Sequence, residues 1–225
     1  IEANEIDKLT NSGYKSNKLG GLIGTKFEYL EDLKLGIKAS SFLETIETDS
    51  SASERQKKQA GDFFDTYVGF TFDYDKRNQK YQTSDGFRSY YSIDLPLLSD
   101  NNTLTNFYNY KVFSELYEEN ISSISLSLSS ANSLTGDDIK LSERLYIPQR
   151  KLRGFASGKV GPKDGSDYIG GNYYAILNIS SSLPKILQNS QNIDLGTFID
   201  IANIWGVDDN TLDDSSEIRS SIGIG

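Results

Sequence analysis

Thr66-Tyr67-Val68-Gly69-Phe70-Thr71-Phe72-Asp73-Tyr74-Asp75 decides the fold class. Val68, Phe70, Phe72 and Tyr74 fall on one side of an extended chain, and Tyr67, Gly69, Thr71, Asp73 and Asp75 on the other. That is the period of two of a strand whose faces meet two different solvents. After a polar stretch and Thr83-Ser84-Asp85-Gly86, the alternation resumes with Phe87, Ser89, Tyr91, Ile93 and Leu95 against Arg88, Tyr90, Ser92 and Asp94. Turn-forming residues between two alternating runs predict an antiparallel hairpin.

The pattern extends in both directions. Tyr108, Tyr110, Val112 and Leu116 oppose Phe107, Asn109, Lys111 and Glu115, and Ile124, Leu126 and Leu128 alternate with Ser123, Ser125, Ser127 and Ser129. A face made of serine is expected to look at water, either bulk water beside a sandwich or a wet barrel lumen. Upstream, residues 26–30 and 33–39 read as strands around a Glu31-Asp32 turn, and the Ser/Glu/Arg/Lys-rich residues 50–60 as a loop or a short helical turn, with the solvated loop preferred. Downstream, strands are expected over 173–181, 196–204 and from 217 onward. Pro184 and the Asn/Gln-rich run 188–192 separate the first two, and the acidic stretch 208–214 separates the last two. Trp205 and the Tyr173-Tyr174 pair suit an aromatic girdle or strand packing.

Composition narrows the function. A net charge of −9, with 32 acidic against 23 basic residues, lacks the basic excess of a nucleic-acid-binding surface. The absence of Cys and His removes disulfides, thiol nucleophiles, imidazole bases and the commonest zinc ligands. Asp208, Asp209, Asp213 and Asp214 lack the spacing of a calcium loop and read as a solvated turn, so no metal is expected. Glu115, Glu118 and Glu119 have no second acidic pair or sugar platform beside them, and the chain is not expected to be an enzyme. No run approaches the roughly 18–20 apolar residues of a spanning helix, so a chain of this kind enters a membrane only as a closed barrel. The pattern favours that barrel over a soluble β-sandwich, with 14 Tyr and 11 Phe supplying its belts. The chain contains no Met and stops within the alternating Ser221-Ile222-Gly223-Ile224-Gly225, so it reads as an internal fragment.

Between the predicted strands near 128 and 173 lies Leu152-Arg153-Gly154-Phe155, preceded by Ser142-Glu143-Arg144-Leu145-Tyr146 and followed by Gly161-Pro162 and Gly170-Gly171-Asn172. Taken with Phe72-Asp73-Tyr74-Asp75, Asp85-Gly86-Phe87-Arg88 and the strand bearing Asp200, this collinear series resembles the membrane barrel of the BamA-like assembly factors in the bacterial surface antigen superfamily. The resemblance runs from about residue 66 to the end.

It implies an all-β fold: part of a sixteen-stranded antiparallel transmembrane β-barrel with a latch loop inserted into its lumen. On that reading residues 1–225 belong to one C-terminal barrel domain, with the periplasmic repeat domains and the seam strands outside them. Leu152, Arg153, Gly154 and Phe155 form the latch, with Asp200 as the lumen-wall partner of Arg153. Ser180 stands at the second wall position, where the family carries an acid. Physical chemistry supports such a pairing, because a guanidinium withdrawn from water needs a carboxylate and its planar fork grips one through two hydrogen bonds. Pro148-Gln149 replaces the Gly-Gly that the family tends to have before its motif, implying a stiffer approach to the loop tip.

The implied function is folding and inserting client barrel proteins in the bacterial outer membrane, without a cofactor. The implied partners are unfolded outer-membrane clients, the lipid bilayer and, through other parts of the protein, accessory outer-membrane lipoproteins. Sister-branch transporters for autotransporter assembly or two-partner secretion, and a passive porin-like channel, remain as alternatives.

Overall fold

The computed structural model describes residues 2–8, 13–117, 120–183, 195–209, 212, 214 and 217–225. Pro184, the run 188–192, Glu118, Glu119 and Asp213 lie outside the described residues.

Ten strands form one antiparallel sheet. In chain order they are β1 (Glu2–Lys8), β2 (Tyr14–Leu30), β3 (Leu33–Thr48), β4 (Gly61–Asp75), β5 (Gly86–Ser99), β6 (Thr103–Tyr117), β7 (Asn120–Ser133), β10 (Tyr173–Ser182), β11 (Gly196–Trp205) and β12 (Arg219–Ile224), each paired with the next. The long connection from β7 to β10 holds a two-stranded hairpin, β8 (Lys163–Asp164) and β9 (Asp167–Tyr168). Such an up-and-down meander is the arrangement of a barrel wall. The turns at 31–32 and 76–85 leave one end of the sheet. The connections 49–60, 134–172 and 206–218 leave the other, here called the loop end.

The two faces are inverted relative to a soluble domain. On β4, Asp65, Gly69 and Asp73 are buried while Phe64, Phe72 and Tyr74 are exposed; on β7, Ser123, Ser125 and Ser127 are buried while Ile124 and Leu128 are exposed. Apolar side chains outside and polar ones inside suit lipid around a polar lumen, which overturns the soluble sandwich. Rings cluster on the outer face at two levels. Tyr74–Phe87 and Phe87–Tyr110, each 5.7 Å between centroids, lie toward the turns, and Tyr173 stacks on Trp205 at 6.0 Å at the loop end. Tyr174 departs from the girdle expectation: alternation turns it inward, where it is buried.

Inside, charges are matched across strands. Asp73 accepts from Lys26 at 2.5 Å and from both Nε and Nη2 of Arg88 at 2.7 and 2.9 Å, and Lys38 meets Asp94 at 2.8 Å. The main apolar core sits between the inner wall and the long connection: Tyr174, Ile176, Ala202 and Ile204 from β10 and β11 pack on Ile147 and Leu152 of the loop.

Two expectations are corrected. Residues 50–60 are not only a solvated loop, because Glu54–Lys58 form a short helix, α1, closed by a capping box. The Ser53 side chain accepts from Gln56 N and the Gln56 side chain accepts from Ser53 N. Gln56 is buried and the Gln59 side chain accepts from Leu141 N, so this segment is part of a cap over the loop end. The serine face of β7 is likewise not fully wet. Ser125 and Ser127 are buried and accept from Asn109 Nδ2 at 3.2 and 2.8 Å, and these small side chains leave room for the loop.

Candidate functional site

The connection 134–172 enters the barrel in three steps. Its first part is held against β3 and β4 by a lysine. Lys140 is fully buried, its Nζ 2.9 Å from Glu44 and 3.6 Å from Glu143, in direct contact with Asp65, and 5.0 Å from the Phe63 ring centre. Burial alone would depress its pKa, but attraction from Glu143 and Glu44 and the hydrogen bond to Asp65 outweigh burial and hold it above the ordinary lysine value. Leu141 packs beside it with Tyr14, Ile46 and Phe63. Arg144 then meets Asp208 at 2.6 Å, and the same carboxylate accepts from Ile139 N and from Asn172 Nδ2. Asp209 pairs with Arg55. The acidic stretch is therefore not merely solvated: Asp208 and Asp209 fasten loops together, and no group of potential metal ligands occurs among the described residues.

The second step crosses the mouth. Leu145 and Gly171 exchange two backbone hydrogen bonds of 2.8 and 3.0 Å, bracing the two legs of the connection. Pro148 opens a single 3-10 turn, Gln149–Lys151, that carries the chain down to Leu152, which is buried in the core. Its fixed φ suits this position at the turn's start.

The third step is the tip. Arg153 donates from Nε to Asp200 Oδ2 at 2.8 Å, from Nη2 to Asp200 Oδ1 at 2.7 Å, and from its backbone N to Oδ2 at 3.1 Å. Asp200 is 0% exposed, whereas the Arg153 side chain remains 40% exposed, with its guanidinium 3.4 Å from the Phe198 ring centre. The hydrogen bonds that it donates to Asp200 hold the Arg153 pKa above its usual value. Gly154 has φ +85°, a conformation that a residue with a Cβ resists, and so the chain reverses there. Phe155 and Val160 then pack back against the core. At Gly161, φ +111°, an added Cβ would stand 2.6 Å from Ile204, so the returning leg lies close on β11.

Leu152, Arg153, Gly154, Phe155 and Asp200 are thus brought together. Ser180 is not bonded to Arg153: it lies one inward-facing position nearer the turns than Asn178, and its hydroxyl shares a 2.9 Å hydrogen bond with Ser123. A serine there is too short to reach the guanidinium. Asn178 occupies the working position. It stands opposite Asp200 on the neighbouring strand, and its Nδ2 donates to Asp200 Oδ1 at 2.8 Å and to the Lys151 carbonyl at 2.7 Å. One amide thereby orients the carboxylate and clips the loop backbone. The sequence offered little sign of it beyond a polar residue on the inward face of a strand.

A family description, the Omp85 superfamily domain, matches residues 1–225. The chain belongs to the Omp85 superfamily. Membership places it among the β-barrels of the bacterial outer membrane, and the inverted faces described above agree. Among solved structures this Omp85 chain is similar to the crystal structure of BamA from Haemophilus ducreyi lacking POTRA domains 1–3, with a TM-score of 0.79 and 19% sequence identity. The match covers 94% of this chain and 47% of that one. The likeness is one of fold. Comparison with curated proteins finds no match.

Proposed function

We propose that this Omp85 chain is the latch-bearing wall of an outer-membrane protein assembly factor. The observation that carries the reading is the fully buried Asp200 gripping Arg153 through two hydrogen bonds, which holds a 39-residue connection, 134–172, inside the wall of an Omp85 barrel. In this reading the latch fixes the shape of the wall and keeps the mouth covered, while clients meet strands supplied by the rest of the protein. Client strands add there by pairing with exposed backbone at a sheet edge. Periplasmic repeat domains, receiving clients and accessory lipoproteins, belong to other parts of the same protein. By the usual asymmetry of outer-membrane barrels, the loop end faces outward. The machinery is one of hydrogen bonds and packing, with no bond made or broken in the client and no cofactor.

Depletion of the full-length protein in its native host, followed by quantitative proteomics of the outer membrane, tests the reading. An assembly factor lowers many barrel proteins together. Loss of a single secreted substrate identifies a sister-branch transporter, and an unchanged outer-membrane proteome with altered solute permeability identifies a passive channel.

A further inference from the structure

The inner wall carries a lateral row whose members are neighbours across successive strands: Asp75, Arg88, Lys111, Ser125, Asn178, Asp200. The carboxylates at both ends of the row are taken, by Arg77 at one and by Arg153 at the other. Lys111 stands between them. Three strand spacings of about 4.8 Å separate it from Asp200, about 14 Å in all. Asp73, nearer on the other side, is held by Lys26 and Arg88. Among the described residues no carboxylate bonds Lys111; its cross-strand neighbour on β5 is the cation Arg88, itself paired with Asp73, and Lys151 and Arg77 add further positive charge. An ionisable group within a membrane wall, facing the interior with no counter-charge, marks a binding site more often than a structural one.

Lys111 and Arg153 line a common cavity of about 360 Å³ on the inner face, together with Ser123, Ser180, Phe113 and Phe198. Asp200 engages Nε and Nη2 of Arg153, so Nη1 is open to a further acceptor among the described residues. Ser123 and Ser180 share one hydrogen bond between two hydroxyls, which leaves one hydroxyl proton to donate. The Phe113 and Phe198 rings carry the two cations on their faces, at 4.6 and 3.4 Å. The cavity therefore offers an ammonium, a guanidinium edge and a hydroxyl between apolar walls.

We propose that this cavity binds a carboxylate side chain of a polypeptide segment that enters the lumen from the turn end, held by Lys111, Arg153 and the Ser123–Ser180 pair. The apolar flanks suit the methylene stem of an acidic side chain, and the inner face looks away from the bilayer, which leaves lipid headgroups on the wrong side of the wall. Bound there, the carboxylate engages the latch arginine directly, so occupancy of the lumen and closure of the latch reinforce each other.

The test uses the full-length protein in lipid-free detergent, with its thermal unfolding temperature followed at constant ionic strength. The probe is N-acetyl-glutamate N-methylamide, a single side-chain carboxylate on a peptide stem; the glutamine analogue and inorganic phosphate are controls. A saturable rise with the glutamate probe, absent with glutamine, is expected in the wild type and lost in Lys111→Gln. Because that variant removes an unpaired cation, it should fold at least as stably as the parent without ligand. Ser180→Asp supplies a carboxylate from the wall and is expected to raise the unfolding temperature and abolish the response. An equal response in wild type and Lys111→Gln, no response in the wild type, or a response to phosphate alone would each overturn the proposal.

Discussion

Replacing Arg153 by alanine in the full-length protein isolates the tip contact. The substitution strands the charge of Asp200, which is 0% exposed and keeps only neutral donors, the Asn178 amide and the backbone N–H of residue 153. Removing one member of a buried pair costs about 3–5 kcal/mol, whereas an exposed pair is worth about 0–1 kcal/mol. With the carboxylate fully buried but the Arg153 side chain 40% exposed, the pair lies between these limits, and about 2–3 kcal/mol is expected. At about 2–4 °C per kcal/mol for a domain of this size, the folded band on semi-native gels should disappear roughly 4–12 °C earlier. The double variant R153A with Asp200→Asn supplies the sharper criterion. Removing the orphaned charge should return part of the loss, because the penalty lies in the stranded carboxylate. An unchanged midpoint in R153A, or a double variant weaker than R153A, refutes the reasoning.

Gly154→Ala, with φ +85° imposed on a residue bearing a Cβ, should cost about 1–2 kcal/mol on the same gels without altering the Arg153 contacts in a crystal structure. Asn178→Asp exchanges an amide donor for a second carboxylate against Asp200 and should destabilise more than Asn178→Ala, with part of the difference recovered at low pH; the reverse order would contradict the role given to that amide. Lys140→Met leaves Asp65 buried without its cation and Glu44 with Lys18 alone, at 3.3 Å, and should cost about 3–5 kcal/mol, largely recovered when both are also made amides. Because the folded pKa of Lys140 is raised, its contribution is fully present below about pH 10.4, the unfolded value, and is lost only as pH rises through the higher folded value. The gap between wild type and variant, read by thermal melts, should therefore stay level from pH 7 to about pH 9. In the full-length protein with any tryptophan outside this sequence replaced by phenylalanine, Trp205 should be quenched more by lipids labelled near the headgroup than by those labelled at the chain end.

Much of the wall was legible because alternation along a strand reports its two solvents without reference to any other part of the chain. β4 and β5 follow directly from the runs around Phe70 and Tyr91. The helix α1 was signalled too, by Ser53 three residues before Gln56, but a charged stretch of that length reads as solvent-exposed until the cap above it is known. Lys140 was not legible. A lysine in a connection is ordinarily a surface residue, and beside the local Glu143 it takes Asp65 and Glu44, 75 and 96 residues away, to make its burial tolerable. Ser180 and Asn178 differ by two residues on the same face, and no periodicity distinguishes which one stands opposite Asp200. Register does, and register is set by pairing with β7 and β11. The serines of β7 look wet for a related reason: a loop fills the space that they were expected to leave to water.

The two ends of the connection 134–172 also bear on the order in which the barrel closes. Lys140 is anchored on β3 and β4, which precede it in the chain, and Arg153 on β11, which follows it by 47 residues. Every strand pair in the sheet joins neighbours in sequence except β7 with β10, so the wall can grow by local hairpins, whereas the connection can be fastened at both ends only when the wall between them stands. Contacts made that late are absent while the sheet is assembling. Their loss is expected to leave the folding rate nearly untouched and to accelerate unfolding, which makes the fastened loop a brake on disassembly.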